Sequence, residues 1–503
     1  MPAHAPRRAA RPRPGRDDSA RDHSARDHSG RTPGSRPRAA RPRTDPARRA
    51  AYDVLRAVAD RDAYANLLLP AMLAERGLVG RDAAFATELT YGTLRGRGTY
   101  DAILAACSDR DDIDPPVRDV LRLGAHQLLA TRVGSHAAVA TSVDLAKDVC
   151  GPRPSGFVNA VLRRVATRDL DGWIQIVAPD RSRDPSGYLA VRHSYPRWII
   201  DAFRDALGPA DAELDDALAA GNVRPEVVLA LSPGGPPGRD ADGPPPDGER
   251  TRWSPYGIRL AGGDPAPLVA SGQFAVQDEA SQLAALALTR TGANGQDKLW
   301  LDLCAGPGGK ARLLGGLAAE RGARLIAADV HPHRARRVLD ALNRSGGENH
   351  GVIAADGRQA PWPPGAFDRV LADVPCSGLG SLRRRPEARW RKTPGALAEL
   401  ASLQRELLGT ALDSVRPGGV VAYVTCSPHL AETRDVVTAV VQDRDDVTIL
   451  DAPAVLPEVP GLRSAHSRGD SRFAQFWPHR HGTDAIFLAL LRRGDSGAAE
   501  GAG

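Results

Sequence analysis

The sequence has few cysteines, and no two of them form a CxxC pair. Zinc sites and disulfide frameworks need cysteines at close or regular spacing, so the sequence argues against both, and no metal site is expected. A cysteine with a function is therefore expected to be a reactive thiol. The five candidates are Cys107, Cys150, Cys304, Cys376 and Cys426.

Long apolar segments are also lacking. No apolar run is long enough to cross a membrane, and the first residues contain no apolar stretch like that of a secretory signal. The sequence therefore predicts a cytoplasmic protein with no membrane partner. Aromatic residues make up only 5% of the chain, whereas the hydrophobic share of 42% is typical of soluble globular proteins. For 503 residues, two or three domains are expected.

Large apolar residues are almost absent from residues 1–44, which hold twelve arginines and four aspartates. Their net charge is +8, so the rest of the chain carries −2 of the total of +6. A segment of this composition, with a repeated SARDH sequence at 19–28, is expected to be a disordered tail. Two interpretations are open, namely a loose, salt-sensitive attraction for RNA and a solubilising extension.

The hydrophobic pattern divides the rest of the chain into three parts. Residues 45–170 show helical periodicity, which predicts a small all-α bundle. Residues 171–290 mix helical and strand-like runs with a Pro/Gly/Asp-rich loop at 232–248, which predicts a small α/β connector. Residues 291–493 alternate short apolar runs with helical patterns, and residues 494–503 are expected to form a second disordered tail.

Five short apolar runs follow residue 298 and predict strands that are buried on both faces. Such strands indicate a parallel sheet covered by helices, in which ligands bind beyond the carboxyl ends of the strands. The runs are 299–303 (LWLDL), 325–328 (LIAA), 352–355 (VIAA), 370–372 (VLA) and 420–424 (VVAYV).

A glycine-rich turn at 302–310 (DLCAGPGGK) lies between a predicted strand and a helix. Glycines allow a tight turn and a close approach to a ligand, and the helix start offers free N–H groups. Asp329 and Asp356 end the next two predicted strands, where a carboxylate can bind ribose hydroxyls or an adenine amino group. Taken alone, the glycine turn could be an ordinary strand-to-helix turn, and each aspartate could be a helix cap. Taken together, the turn and the aspartates favour a nucleoside pocket.

Two cysteines also follow predicted strands, in 373–378 (DVPCSG) and in 425–427 (TCS). A single cysteine is most often a small buried hydrophobe. Two thiols at neighbouring strand ends, one after proline and one between hydroxyl residues, favour a shared catalytic crevice.

These motifs resemble those of the RsmB/Sun (Fmu) family of RNA cytosine-5 methyltransferases. The resemblance covers residues 48–493 and includes 276–281 (VQDEAS) and 477–484 (WPHRHGTD) besides the turn and the two cysteine motifs. The helical region resembles the antitermination factor NusB, through 89–95 (LTYGTLR), 122–129 (RLGAHQLL) and 157–163 (FVNAVLR). The sequence departs from the family at Val374, where alanine is usual, and at 139–143 (VATSV), where the relatives usually carry VNEAV.

The resemblance implies a NusB-like bundle, a small connector and a Rossmann-like α/β domain that uses S-adenosylmethionine. It assigns the nucleophile to Cys426 and assistance in its release to Cys376, whereas DNA cytosine-5 enzymes attack with the Pro-Cys thiol. Asp373 would contact the cytosine edge or the cofactor, and Lys310 would favour the thiolate, unless it is an ordinary solvated helix lysine. The cofactor-binding residues implied are Cys304, Ala305, Gly306, Pro307, Gly308, Gly309, Lys310, Asp329, Asp356 and Asp373.

The expected partner is RNA, with 16S ribosomal RNA favoured by the NusB-like bundle; no DNA partner is expected and a monomer is favoured. The target base must be single-stranded or flipped out, because a stacked base hides its C6 atom. A basic segment with one tryptophan, 383–392 (RRRPEARWRK), is suited to phosphate contact and base stacking, or is a solvated loop with an anchoring tryptophan. The same chemistry on tRNA and a non-catalytic RNA-binding or antitermination factor are the alternative functions.

Overall fold

The computed structural model describes residues 44–208, 211–233, 248–345, 349–463 and 472–494. The predicted tails at 1–44 and 494–503 and the predicted loop at 232–248 lie outside these residues except at their edges. Within the described ranges, no helix is both long and apolar enough to span a membrane.

Seven helices form the N-terminal bundle. The central helix α5 begins with two prolines, which suit the first helical turn, and its residues Val120 and Leu121 are fully buried. Gly124 lets this helix approach α7 closely, since a Cβ there would lie 2.6 Å from the Leu162 side chain. The helices are α1 (Pro46–Arg61), α2 (Ala65–Glu75), α3 (Gly80–Arg95), α4 (Arg97–Cys107), α5 (Pro115–Ala130), α6 (Ser135–Val149) and α7 (Ser155–Val165).

The connector consists of a helical part and a small antiparallel sheet. The helices are α8 (Leu170–Val177), α9 (Pro185–His193), α10 (Arg197–Leu207) and α11 (Asp211–Ala220). Helix α10 presents Phe203 to Trp477 near the end of the chain, with the two rings 5.6 Å apart edge to face. The sheet has the order β2-β3-β1-β4, with α12 (Ala266–Ala270) before its last strand; its strands are β1 (Val227–Leu231), β2 (Gly248–Arg250), β3 (Gly257–Leu260) and β4 (Phe274–Val276).

The C-terminal domain is built on a large sheet of the order β10-β12-β9-β8-β5-β6-β7, with β11 paired to β12. Strands β5 to β9 run parallel to one another, whereas β12 pairs antiparallel with both β9 and β10. The strands are β5 (Leu299–Asp302), β6 (Arg324–Asp329), β7 (His350–Ala354), β8 (Phe367–Asp373), β9 (Val415–Thr425), β10 (Val447–Leu450), β11 (Ala474–Gln475) and β12 (Phe487–Arg493).

Alternate residues of these strands enter two separate cores, because successive strand side chains point to opposite faces. Trp300 packs on one face, with helices α13, α14 and α15, and Leu301 packs on the other, with α16 and α17. Coverage of both faces explains the continuous apolar runs in the sequence. The predicted fold class, an all-α bundle joined to a Rossmann-like α/β domain, is confirmed. The helices are α13 (Glu279–Arg290), α14 (Gly309–Glu320), α15 (Pro332–Arg344), α16 (Gly395–Ser414), α17 (Arg434–Gln442) and the short α18 (Pro478–His481).

Candidate active site

A cleft of about 1060 Å³ opens at the carboxyl ends of the central parallel strands. This is where the parallel topology predicts a ligand site, since β5, β6, β8 and β9 all end at the same edge of the sheet. The turn after β5 contributes Cys304, Gly306 and Pro307 to its wall. Asp329, Asp356 and Asp373, each at or just after a strand end, also line it.

The two predicted thiols meet in this cleft. The sulfurs of Cys376 and Cys426 are 3.2 Å apart, and both side chains are half-buried. They come together because β8 and β9 are neighbours in register, with Asp373 opposite Val424, Cys376 three residues beyond β8 and Cys426 directly after β9. The hydrogen bond between the sulfurs lowers the pKa of Cys426 and raises that of Cys376. Both directions favour the thiolate form at Cys426 over Cys376.

Lys310 lies at the start of α14, with a side chain only 12% exposed, so it is not a solvated helix lysine. Its ammonium group is 2.8 Å from the Asp373 carboxylate. Burial lowers the pKa of Lys310, but the ion pair with Asp373 and the nearby Cys426 sulfur outweigh burial and leave that pKa raised. The charged ammonium in turn contributes to lowering the pKa of Cys426.

Glu432 holds the two cysteine turns together, and sequence analysis missed it. This fully buried carboxylate accepts hydrogen bonds from the Ser377 backbone N–H (2.7 Å) and from the hydroxyls of Ser377 and Ser427. Gln404 on α16 donates a fourth bond at 3.2 Å. Because Ser377 follows Cys376 and Ser427 follows Cys426, one side chain fixes both thiol-bearing segments. A signal was present in the two serines after the cysteines, but nothing in the sequence indicated their common partner.

The glycine turn is fastened to Asp329 at the end of β6. The Gly306 N–H donates to the Asp329 carboxylate at 3.0 Å, and Arg334 donates to the Gly306 carbonyl. A Cβ on Gly306 would lie 2.3 Å from an Asp329 oxygen, so the close approach suits glycine. Asp302 is completely buried and is not among the residues that line the cleft. Burial and the Asp373 carboxylate raise the pKa of Asp302 to about 8.

Asp356 lines the cleft beyond β7, but its carboxylate is already paired with Arg358 at 2.7 Å. The hydrogen bonds from Arg358 lower the pKa of Asp356. Of the other predicted cofactor residues, Ala305, Gly308, Gly309 and Lys310 are not among the residues that line the cleft.

The basic segment 383–392 divides its cations between protein contacts and the cleft. Arg383 and Arg384 both pair with two buried carboxylates, Asp278 and Asp484. The fully buried Arg389 stacks on Tyr195 with its guanidinium carbon 3.7 Å from the ring centroid. The remaining members of the segment that line the cleft are Arg385, Ala388, Trp390, Arg391 and Lys392. The prediction that this segment contacts RNA phosphates is therefore wrong for Arg383, Arg384 and Arg389, because each is bound within the protein and none lines the cleft.

Two family models match the chain. Residues 291–492 match the family described as 16S rRNA methyltransferase RsmB/F, and residues 45–167 match the NusB family. Rv1407 of Mycobacterium tuberculosis, which is named as a methyltransferase, is 52% identical over 458 residues, or 89% of this chain and 97% of that protein.

Ribosomal RNA small subunit methyltransferase B of Pseudomonas putida is 33% identical over 465 residues, which are 88% of this chain and 98% of the relative. Among solved structures, the crystal structure of PH0851 superposes with a TM-score of 0.70 at 22% identity. That match covers 89% of this chain and 99% of PH0851, and it supports the fold. The chain thus belongs to the RsmB/F family of 16S rRNA methyltransferases and carries the NusB-family domain at its N-terminus.

Proposed function

We propose that this protein methylates C5 of a specific cytosine in 16S ribosomal RNA, with S-adenosylmethionine as the methyl donor. The observation that carries the proposal is the pair of sulfurs 3.2 Å apart at the cleft, together with the Lys310 charge that lowers the pKa of Cys426. Cytosine C5 is a weak nucleophile until a thiolate has added to C6, so this chemistry needs an activated thiol. A second thiol beside it suits the release that must follow.

The cleft residues fit the proposed donor. Glycine and proline of the turn after β5 form one wall, and Asp329 offers a carboxylate at the end of β6, the position suited to ribose hydroxyls. Val330, Leu403 and Leu407 add an apolar surface suited to an adenine ring. S-adenosylmethionine would supply the methyl group, and the cleft volume of about 1060 Å³ leaves room for an unstacked base as well.

In the proposed mechanism the Cys426 thiolate adds to C6 of the cytosine, which makes C5 electron-rich. C5 then accepts the methyl group, and a base removes the C5 proton. Elimination across the C5–C6 bond expels Cys426 as its thiolate and restores the aromatic ring. We assign assistance in this release to Cys376, whose sulfur is within hydrogen-bonding distance of Cys426.

Lys310 and Asp373 are proposed to prepare the site. The Lys310 ammonium stabilises the Cys426 thiolate before attack, and its ion pair fixes the Asp373 carboxylate at the cleft wall. Asp373 is proposed to accept a hydrogen bond from the N4 amino group of the cytosine, which orients the ring for the addition of the thiolate at C6.

The test combines labelled S-adenosylmethionine, unmodified 16S ribosomal RNA and three single variants. We expect Cys426→Ala to be inactive and Cys376→Ala to accumulate a covalent protein–RNA adduct that survives denaturing electrophoresis. Cys150→Ala, which removes a half-buried thiol of the bundle, is the matched control and should methylate like the wild type. An active Cys426→Ala enzyme would overturn the assignment of the nucleophile.

The substrate is tested in the same assay. We expect label in 16S ribosomal RNA and, after bisulfite sequencing, at one cytosine. Label in tRNA alone would transfer the proposed chemistry to that substrate. A wild-type protein that binds RNA without methylating it would instead favour a non-catalytic RNA-binding role.

A further inference from the structure

The N-terminal bundle contributes a wall to the catalytic cleft. Asp62 and Tyr64, in the segment between α1 and α2, line the cleft together with the strand-end residues of the C-terminal domain. The Tyr64 side chain remains 47% exposed, although most large apolar side chains of the bundle are buried. A ring that is exposed at the edge of a reactive cleft contributes little to the core.

The position of this segment is fixed by contacts with the basic segment. The Arg391 guanidinium donates to the carbonyl oxygens of Val58 (2.9 Å) and Ala63 (2.7 Å), on either side of the turn. The buried Glu387 accepts the Ala65 N–H at 3.2 Å. Asp62 adopts a left-handed backbone conformation with φ of 50°, which ends α1 and turns the chain toward the cleft. The bundle therefore presents Tyr64 on a fixed support.

The groups around the Tyr64 ring are suited to binding an unstacked nucleotide. The guanidinium carbons of Arg385 and Arg391 lie 5.5 Å and 5.4 Å from the ring centroid. Arg385 is exposed, and Lys392 lines the same cleft. Beside these cations the wall carries the carboxylate of Asp62, which is 3.4 Å from Arg391. The wall therefore has an excess of positive charge around an aromatic face.

We propose that Tyr64 and Arg385 form a stacking site for the RNA base that neighbours the target cytosine. Aromatic rings and guanidinium planes are the groups on which proteins stack splayed RNA bases, and nearby cations contact the flanking phosphates. The site holds the strand single-stranded next to the cysteines, so the bundle takes part in positioning the substrate. This inference rests on the proposed function for the identity of the target base.

Bisulfite sequencing first locates the target cytosine. The test then uses 16S ribosomal RNA made by splinted ligation, with an abasic nucleotide placed on the 5′ or the 3′ side of that cytosine. For the wild type, one abasic position should raise the KM for RNA about tenfold, the typical loss when a base–aromatic stack is removed. Tyr64→Ala should raise the KM of intact RNA by a similar factor and leave kcat at saturating RNA within about twofold. With the abasic RNA, Tyr64→Ala should show no further loss, because ring and base act as a pair.

Tyr64→Phe keeps the ring and should retain the wild-type KM. Leu67→Ala, which removes an exposed side chain of α2 outside the cleft, is the matched control. Independent, additive losses from Tyr64→Ala and the abasic nucleotide would overturn the stacking site, as would an unchanged KM. If the wild type methylates no cytosine, the proposed function fails on its own. The dissociation constant for 16S ribosomal RNA then still tests the inference. Tyr64→Ala must raise this constant, and Tyr64→Phe must leave it unchanged.

Discussion

Two groups favour the ionised form of Cys426, the Cys376 thiol, whose sulfur is 3.2 Å away, and the charge of the Lys310 ammonium. The hydrogen bond with Cys376 is the largest influence on the pKa of Cys426, and burial and the Asp373 charge oppose it. A thiol with a lowered pKa reacts faster below its ordinary pKa, because the thiolate is the attacking form. The rate of attack is therefore expected to rise with pH through the pKa of Cys426 and then to level off.

Replacing Lys310 should shift that rise to higher pH. In Lys310→Met the positive charge that stabilises the thiolate is gone while Asp373 remains, so the pKa of Cys426 must increase. The measurement is the rate of alkylation of Cys426 by iodoacetamide between pH 6 and 10, followed by peptide mass spectrometry. Lys298→Met, at an exposed lysine, should leave the profile unchanged. Superposable profiles for Lys310→Met and wild type would contradict an electrostatic role of Lys310.

Glu432→Ala is expected to slow methyl transfer without disturbing the part of the cleft that is proposed to bind S-adenosylmethionine. The substitution removes the acceptor of the hydrogen bonds that hold Ser377 and Ser427, and bonds to a charged group contribute about 1.5–3 kcal/mol each. If the loss of one such bond raises the activation free energy of methyl transfer by the same amount, kcat falls about 10- to 100-fold. The KM for S-adenosylmethionine should stay within about twofold, because Glu432 is not among the cleft-lining residues.

Glu432→Gln should recover much of the activity. An amide retains one acceptor oxygen, and a serine hydroxyl can rotate to accept from its NH₂ group. Glu399→Ala, at an exposed position of α16, controls for the loss of a surface carboxylate. Full activity of Glu432→Ala would show that the two cysteine turns hold their geometry without this side chain.

The contrast between Cys426 and Glu432 shows what the sequence can reveal at the scale of residues. The two cysteines were predictable because each follows an apolar strand, and the carboxyl ends of parallel strands form the ligand-binding edge of such a sheet. Glu432 lies in no recognisable sequence motif. Its role depends on a hydrogen bond from Ser377, which is 55 residues away along the chain. Long-range hydrogen bonds of this kind depend on the packing of β8 against β9 and α16.

At the scale of elements, strands were easier to predict than segments without periodicity. The apolar runs at β5, β6, β8 and β9 identified the sheet and its ligand-binding edge. The prediction for the basic segment 383–392 was partly wrong because composition does not distinguish a cation facing solvent from one that is paired inside the protein. Arg389 is the clearest case, since it donates to the Tyr195 hydroxyl at 2.8 Å and to the Gly221 carbonyl at 2.9 Å.

Arg389→Met should therefore destabilise the protein. The substitution keeps an apolar stem but leaves the buried Gly221 carbonyl and Tyr195 hydroxyl without their donor, at a cost of about 3 kcal/mol. The apparent melting temperature, measured by calorimetry, should fall clearly. Arg385→Ala, in the same segment but exposed, should leave the melting temperature unchanged and raise the KM for RNA. Equal melting temperatures for Arg389→Met and wild type would contradict a structural role of Arg389.

At the scale of the molecule, the bundle and the C-terminal domain share one cleft, with Tyr64 from the first and Cys426 from the second on its wall. The sequence predicted both the bundle and the α/β domain, and their order along the chain. It could not predict their contact, because that contact depends on Arg391 reaching the carbonyls of Val58 and Ala63 more than 300 residues earlier in the chain.

The arginine-rich residues 1–43, which lie outside the described residues, provide the last prediction. Deleting them removes a net charge of +8, whereas every contact described for the cleft lies beyond residue 43. If these cations contact RNA phosphates, the truncated protein binds 16S ribosomal RNA more weakly, and its log Kd rises less steeply with log salt concentration. Its dissociation constant for S-adenosylmethionine and its melting temperature should equal those of the full chain. Parallel salt dependences of the two proteins, measured by filter binding between about 50 and 200 mM salt, would instead favour a solubilising extension.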